Sequence, residues 1–151
     1  MFIGTHLAAF TGSRISPASI EAYLTTEYQV SEPSRFVLLI GRRHYGLAAL
    51  LASHENRQCA AVLTAWNPFS KRQHKSENEL AQKALVCELE TRKLPHFLGH
   101  GADPLGKWPA EESRLVLGIE LDEAAALGRR FGQNGFVWAA NDALPMLVLL
   151  R

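Results

Sequence analysis

A chain of 151 residues with 16 basic and 15 acidic side chains fits one domain, 1–151, able to bury roughly two thirds of its unfolded surface without disulfides or metal. The balanced charge excludes a global field that would draw the protein to nucleic acid or to an anionic membrane, so any anion site must be local. There is no run of eighteen uncharged apolar residues, and Met1 to Phe10 has no early lysine or arginine and too short an apolar core for a leader, which predicts no membrane span.

In chain order, Ser16-Pro17 supplies an N-cap and first-turn proline for a helix carrying Ile20, Tyr23, Leu24 and Glu27 and ending near Tyr28. Glu32-Pro33-Ser34 is a turn, and Phe36 to Ile40 is a short continuous apolar strand, buried on both faces and ended by Gly41. Tyr45 to His54 returns to helical period through Leu47, Leu50 and Leu51, and Cys59 to Thr64 is a second buried strand. This β-α-β unit predicts parallel strands with a right-handed crossover.

Beyond Pro68, Ser76 and Glu79 form a capping box for a helix to about Arg92, with Leu80, Ala84, Leu85 and Leu89 facing inward and Asn78 and Gln82 nearer the rim. Pro95 to Pro109, rich in Gly and Pro, reads as a loop. Arg114 to Glu120 is a strand, and Asp122 caps a helix carrying Ala125, Leu127 and Phe131, closed by Gly132. Phe136 to Ala139 and Met146 to Leu150 flank a turn and return antiparallel. The order predicts an α+β, ferredoxin-like split β-α-β sandwich with an inserted helix and Gly/Pro-rich loop. A doubly wound α/β sheet is the alternative.

Thr64-Ala65-Trp66-Asn67-Pro68, Ser76 and Asn78 opening a helix, Trp108-Pro109 with Glu111 and Ser113, and Phe131-Gly132-Gln133-Asn134 together resemble an uncharacterised bacterial family, one of the domains of unknown function. The resemblance runs from about Ala22 to the C-terminus. It implies a bacterial, soluble, single-domain protein, and it ranks positions without assigning roles because that family has no established activity, substrate or catalytic residues.

Residue types supply the chemistry. Thr64 to Pro68 lies where a strand ends, the place where open α/β sheets collect ligands. Asn67 offers donors and acceptors, and Asn78 and Gln82, four apart, share a helix face near free backbone N–H groups. Against this stand the turn-forming tendency of Asn-Pro and the prevalence of solvated amide faces. Arg42 and Arg43, in the turn before a helix, make a phosphate or carboxylate cradle or a surface basic turn. Arg129 and Arg130 complement a helix dipole.

His96 and His100 have H-x3-H spacing, but Pro95 and Gly99 oppose the helix that would align them and no carboxylate completes a set, so no metal site is predicted. Cys59 and Cys87 lack CxxC or metal-ligand spacing and read as buried thiols of a reducing, cytoplasmic compartment. No serine sits in a nucleophile elbow. Glu111 or Glu112 beside Trp108 is a candidate general acid or base, or a surface carboxylate. Asn134-Gly135 suits a left-handed turn, whereas Gln133 has no evident structural reason.

Two function classes follow. The first is a small enzyme or ligand-binding domain for a polar or anionic, nucleotide-like small molecule, with Asn67, Asn78, Glu111 and Gln133 converging and Arg42 or Arg43 holding the anion; no cofactor is specified. The second is a non-enzymatic module whose segment 98–109, with Trp108, docks on a protein partner. DNA binding ranks last, because no basic stripe or recognition-helix motif is present.

Overall fold

The computed structural model describes residues 2–3, 13–55 and 57–151, so most of the Met1 to Phe10 stretch read for a leader lies outside the described residues. Its elements are β1 (Phe2–Ile3), α1 (Pro17–Thr25), β2 (Glu27–Val30), β3 (Phe36–Leu38), α2 (Tyr45–Ser53), β4 (Ala60–Leu63), α3 (Lys75–Thr91), β5 (His96–Ala102), β6 (Glu111–Leu117), α4 (Leu121–Arg130), β7 (Gly135–Ala139) and β8 (Met146–Leu149). A short 3-10 turn covers Pro68–Ser70. No helix among the described residues is long and apolar enough to cross a membrane.

The strands form an eight-stranded sheet in the order β1-β8-β7-β4-β6-β5-β2-β3, antiparallel at every junction. The α+β class holds. The ferredoxin-like split β-α-β arrangement and the doubly wound alternative both need parallel neighbours, and the described pairings contain none. β3 and β4 do flank α2, but β6, β5 and β2 lie between them. The places beside β4 go to β6 and β7, which come later in the chain and pair with it over continuous registers. Among the described residues β3 is therefore an edge strand, paired only to β2.

The sheet is curled. Gly41 N donates to Pro145 O at 2.8 Å and His44 N to Ala143 O at 3.1 Å, joining the segment after edge strand β3 to the turn before β8. Period-2 alternation then divides the strands between two cores. Ala60, Val62, Leu115, Leu117, Val137 and Ala139 face the concave side under Leu47, Leu50 and Leu51 of α2. Ala61, Leu63, Val116, Phe136 and Val148 face the convex side under Leu85 and Leu89 of α3 and Leu127 of α4. β4 is consequently buried at each of its positions. At the other end of the concave face, Ile20 of α1 packs on Leu147 and Leu149.

Several local expectations are corrected. The first helix stops at Thr25, where Thr26 Oγ1 donates to Ala22 O at 2.6 Å, and Glu27–Val30 is a strand. Segment 95–109 is not all loop, since β5 runs through it as an interior strand. α3 starts after His74, so Ser76 lies inside the helix and forms no capping box. α4 is capped at Glu120 and not at Asp122. The inward stripe of α3 is Asn78, Gln82, Leu85 and Leu89, while Leu80 is 68% exposed and Ala84 is exposed. The rim expectation for Asn78 and Gln82 is thus reversed, because the strand end beneath this helix presents backbone polar groups that amides can satisfy and leucine cannot. Cys59 is buried as expected, but Cys87 is exposed.

Candidate functional site

The antiparallel registers place Tyr28 opposite Gly101 and Gly101 opposite Glu111, all on the concave face. In the next row Gly99 lies opposite Ser113, and Thr64 and Gly135 also line this side. Side chains this small leave space beneath α1, a cleft of about 450 Å³, within the size range of small-molecule sites. Tyr23 of α1 and Thr26 just after it, with Tyr28, Trp66 and Trp108, form walls; Val62, Val137 and Leu147 form an apolar floor; Arg72 stands at the rim.

Beyond β4 the chain leaves the sheet through a network built on three amides. Gln82 Oε1 accepts from Ala65 N at 2.9 Å, and Thr64 Oγ1 donates to Glu112 O at 2.7 Å while accepting from Trp66 N at 3.0 Å. Asn67 takes a left-handed conformation, φ 44°, which asparagine tolerates better than most residues. Its backbone N–H donates to Asn78 Oδ1 at 2.8 Å, and its Oδ1 accepts from Asn78 Nδ2 at 2.9 Å and from Gln73 N at 3.2 Å. Its Nδ2 donates to Glu111 Oε1 at 2.8 Å. Asn67, in the turn four residues beyond the end of β4, thus bridges α3 to β6.

The opposite wall is fixed by the turn after α4. Gly132, at φ 68°, has Pro68 and Phe69 packed where a Cβ would stand, and its carbonyl accepts from Phe69 N at 2.7 Å. Gln133 Nε2 donates to Trp66 O at 3.2 Å. Asn134 is buried, its Nδ2 donating to Tyr23 Oη at 3.0 Å and Ser70 Oγ at 3.2 Å. The left-handed residue of this turn is Gly132, so Asn134 is there for its side chain and not for its backbone.

Glu111 is the carboxylate of the cleft lining. Burial pushes its pKa above 4.5, only partly offset by the Asn67 hydrogen bond. The folded state therefore favours the protonated form, and stability is lost as pH rises from below 4.5 through the raised folded-state value. Glu111→Gln removes that cost. The variant is expected to melt above wild type at about pH 8, with the gain vanishing toward about pH 4; an equal difference at both pH values would show that the carboxyl charge is not what burial penalises.

Asn67, Glu111, Trp108 and Gln133 line the cleft, whereas Asn78 does not touch it and acts through Asn67. Arg42 and Arg43 are exposed in the turn before α2, outside the cleft lining. That helix start is already capped, His44 Nδ1 accepting from Gly46 N at 3.0 Å. Glu112 alternates to the convex face and stands 3.9 Å from Arg114. His96 and His100 lie on β5, about 13 Å apart along a strand, and no group of three His, Cys, Asp or Glu converges among the described residues. Cys59 Sγ donates to Ile119 O at 3.0 Å, and burial pushes its thiol up to about 11, which removes it as a nucleophile.

Sequence reasoning missed Tyr23, Thr26, Tyr28 and Arg72 as cleft residues. The signal in the sequence is the aromatic spacing around Thr26, which a continuing helix would also explain. No curated protein and no solved structure matches this chain, whereas residues 63–135, from the last residue of β4 to the first of β7, match the family described as a protein of unknown function, DUF3293.

Proposed function

We propose that this protein is a small-molecule-binding domain, acting on or sensing a ligand held in the cleft between α1 and the concave face of the sheet. The observation that carries this reading is the cleft itself, about 450 Å³ with an apolar floor, aromatic walls and one half-buried carboxyl group held at a defined position by Asn67. Enclosed apolar surface with a few converging polar groups is the composition of ligand sites.

The alternative, a module docking a protein through 98–109, has less behind it. Residues 99–101 are paired on both sides by β2 and β6, and Trp108 is half-buried in the cleft wall. Two free cysteines, one of them exposed, support the expectation of a reducing, cytoplasmic setting.

Thermal-shift screening of a metabolite panel grouped by charge and ring content tests the reading. Ligands of the cleft are expected to raise the melting temperature of wild type and not of Gly101→Val, whose added side chain occupies the cleft. Hits that stabilise both equally would place binding elsewhere, and a panel without hits would favour the docking alternative.

A further inference from the structure

If the cleft is a ligand site, as proposed above, its charge pattern narrows the ligand class. No Lys, Arg or His side chain makes an ion pair with Glu111 among the described residues. Asn67 occupies Oε1 at 2.8 Å, and no protein hydrogen bond to Oε2 is made among those residues. The other titratable groups lining the cleft are Tyr28 on β2, Tyr23 on α1 and the exposed Arg72 at the rim. The Tyr28 hydroxyl is engaged, donating to Tyr23 O at 2.8 Å.

The side-chain amide donors of the lining are engaged by protein acceptors: Asn67 Nδ2 by Glu111, Gln133 Nε2 by Trp66 O, and Asn134 Nδ2 by Tyr23 and Ser70. Beside the Trp66 and Trp108 indoles, the Ser113 hydroxyl and Arg72 at the rim, the lining offers a ligand one carboxylate that has no cation of its own, next to walls formed by Tyr28, Trp66 and Trp108. A removed charge of this kind is costly unless paired, and aromatic faces attract cations through their quadrupoles.

We propose that the cleft selects a small organic cation, an amine or quaternary ammonium on an apolar body, with the ammonium group at Glu111 Oε2 and the body toward Val62, Val137 and Leu147. Arg42 and Arg43, the cations that the sequence offers an anion, lie outside the cleft lining, and the Asn78 and Gln82 amides bond to the backbone at Asn67 and Ala65. A bound cation favours the ionised carboxylate, so binding is coupled to loss of the Glu111 proton and strengthens as pH rises through the range in which that group titrates. Burial raises the Tyr28 pKa further, so its hydroxyl does not titrate in that range.

The test uses four probes with the folded protein, followed by titration calorimetry: phenethylamine, its neutral counterpart 2-phenylethanol, the anion phenylacetate, and the permanently charged benzyltrimethylammonium. Phenethylamine is expected to bind at least about tenfold more tightly than 2-phenylethanol near pH 7, with phenylacetate weakest. In Glu111→Gln, checked for folding by circular dichroism, that preference should fall to about one. Benzyltrimethylammonium affinity should rise with pH in wild type and stay flat in the variant, since the probe itself does not titrate.

Phenylacetate binding as tightly as phenethylamine in wild type, or a cation preference that survives Glu111→Gln, would overturn the inference. Neutral or anionic probes that bind wild type at least as tightly as phenethylamine and are lost in Gly101→Val would end the cation assignment while leaving the cleft a ligand site. Failure of every probe and of the metabolite panel would remove both readings.

Discussion

Asn78→Ala is expected to cost about 3 kcal/mol of folding stability and to lower the melting temperature by about 6–12 °C. Asn78 is 2% exposed, and three hydrogen bonds depend on it: it accepts from Asn67 N and from Gln73 Nε2, and donates to Asn67 Oδ1. Truncation leaves these groups short of partners in a partly buried place, where an unmade bond costs more than a made one contributes. The same change releases the Asn67 side chain that holds Glu111, so ligand affinity should fall as well. Urea titration settles the assignment: a stability change within about 0.5 kcal/mol would mean that Asn78 is not structural and that the amide network adds little.

The second large effect separates two glycines two residues apart. A Cβ on Gly99 would stand 2.3 Å from Gln29 O, so Gly99→Ala must push β5 and β2 apart and is expected to cost about 3 kcal/mol or more. At Gly101 the nearest atom to an added Cβ is Thr26 Cγ2, an ordinary contact at 3.6 Å. Gly101→Val should therefore remain within about 1 kcal/mol of wild type, because valine suits a strand backbone. Its side chain instead fills the space between Tyr28 and Glu111 and should abolish ligand binding. Denaturant curves for both variants check the pair; a strongly destabilised Gly101→Val beside a stable Gly99→Ala would contradict the register on which the cleft depends.

The elements with plain local signals were legible in the sequence. Pro17 after Ser16 marked α1, the buried run at Ala60–Leu63 marked β4, and the polar turn between Phe136 and Met146 marked the closing hairpin. The failures have a common cause, which is that tertiary partners override local preference. Gly99 and Gly101 read as loop residues, yet one is required by close backbone approach and the other keeps the concave face open. Leu80 read as core, but Asn78 and Gln82 take the inward stripe because the backbone at Ala65 and Asn67 needs amide partners.

The candidate site was legible in the same uneven way. Asn67, Glu111, Trp108 and Gln133 come from the strand ends and turns that the sequence marked, and they do meet at the cleft. Tyr23 and Tyr28 could not be placed there without knowing that β2 pairs with β5, a contact between segments some seventy residues apart. Arg42 and Arg43 have the composition of an anion cradle, but sequence has no means of reporting that His44 already caps the helix they precede.

The most direct test of the central claim is backbone amide chemical-shift mapping of the isotopically labelled protein during titration with the best ligand from the thermal-shift panel. Saturable shifts are predicted at Tyr28, Gly101, Glu111, Ser113 and Gly135, the concave residues of the cleft, with little change at exposed Tyr45, Leu80 and Leu105. Shifts centred on those exposed residues, with the cleft amides unmoved, would contradict the account and move binding to the outer surface.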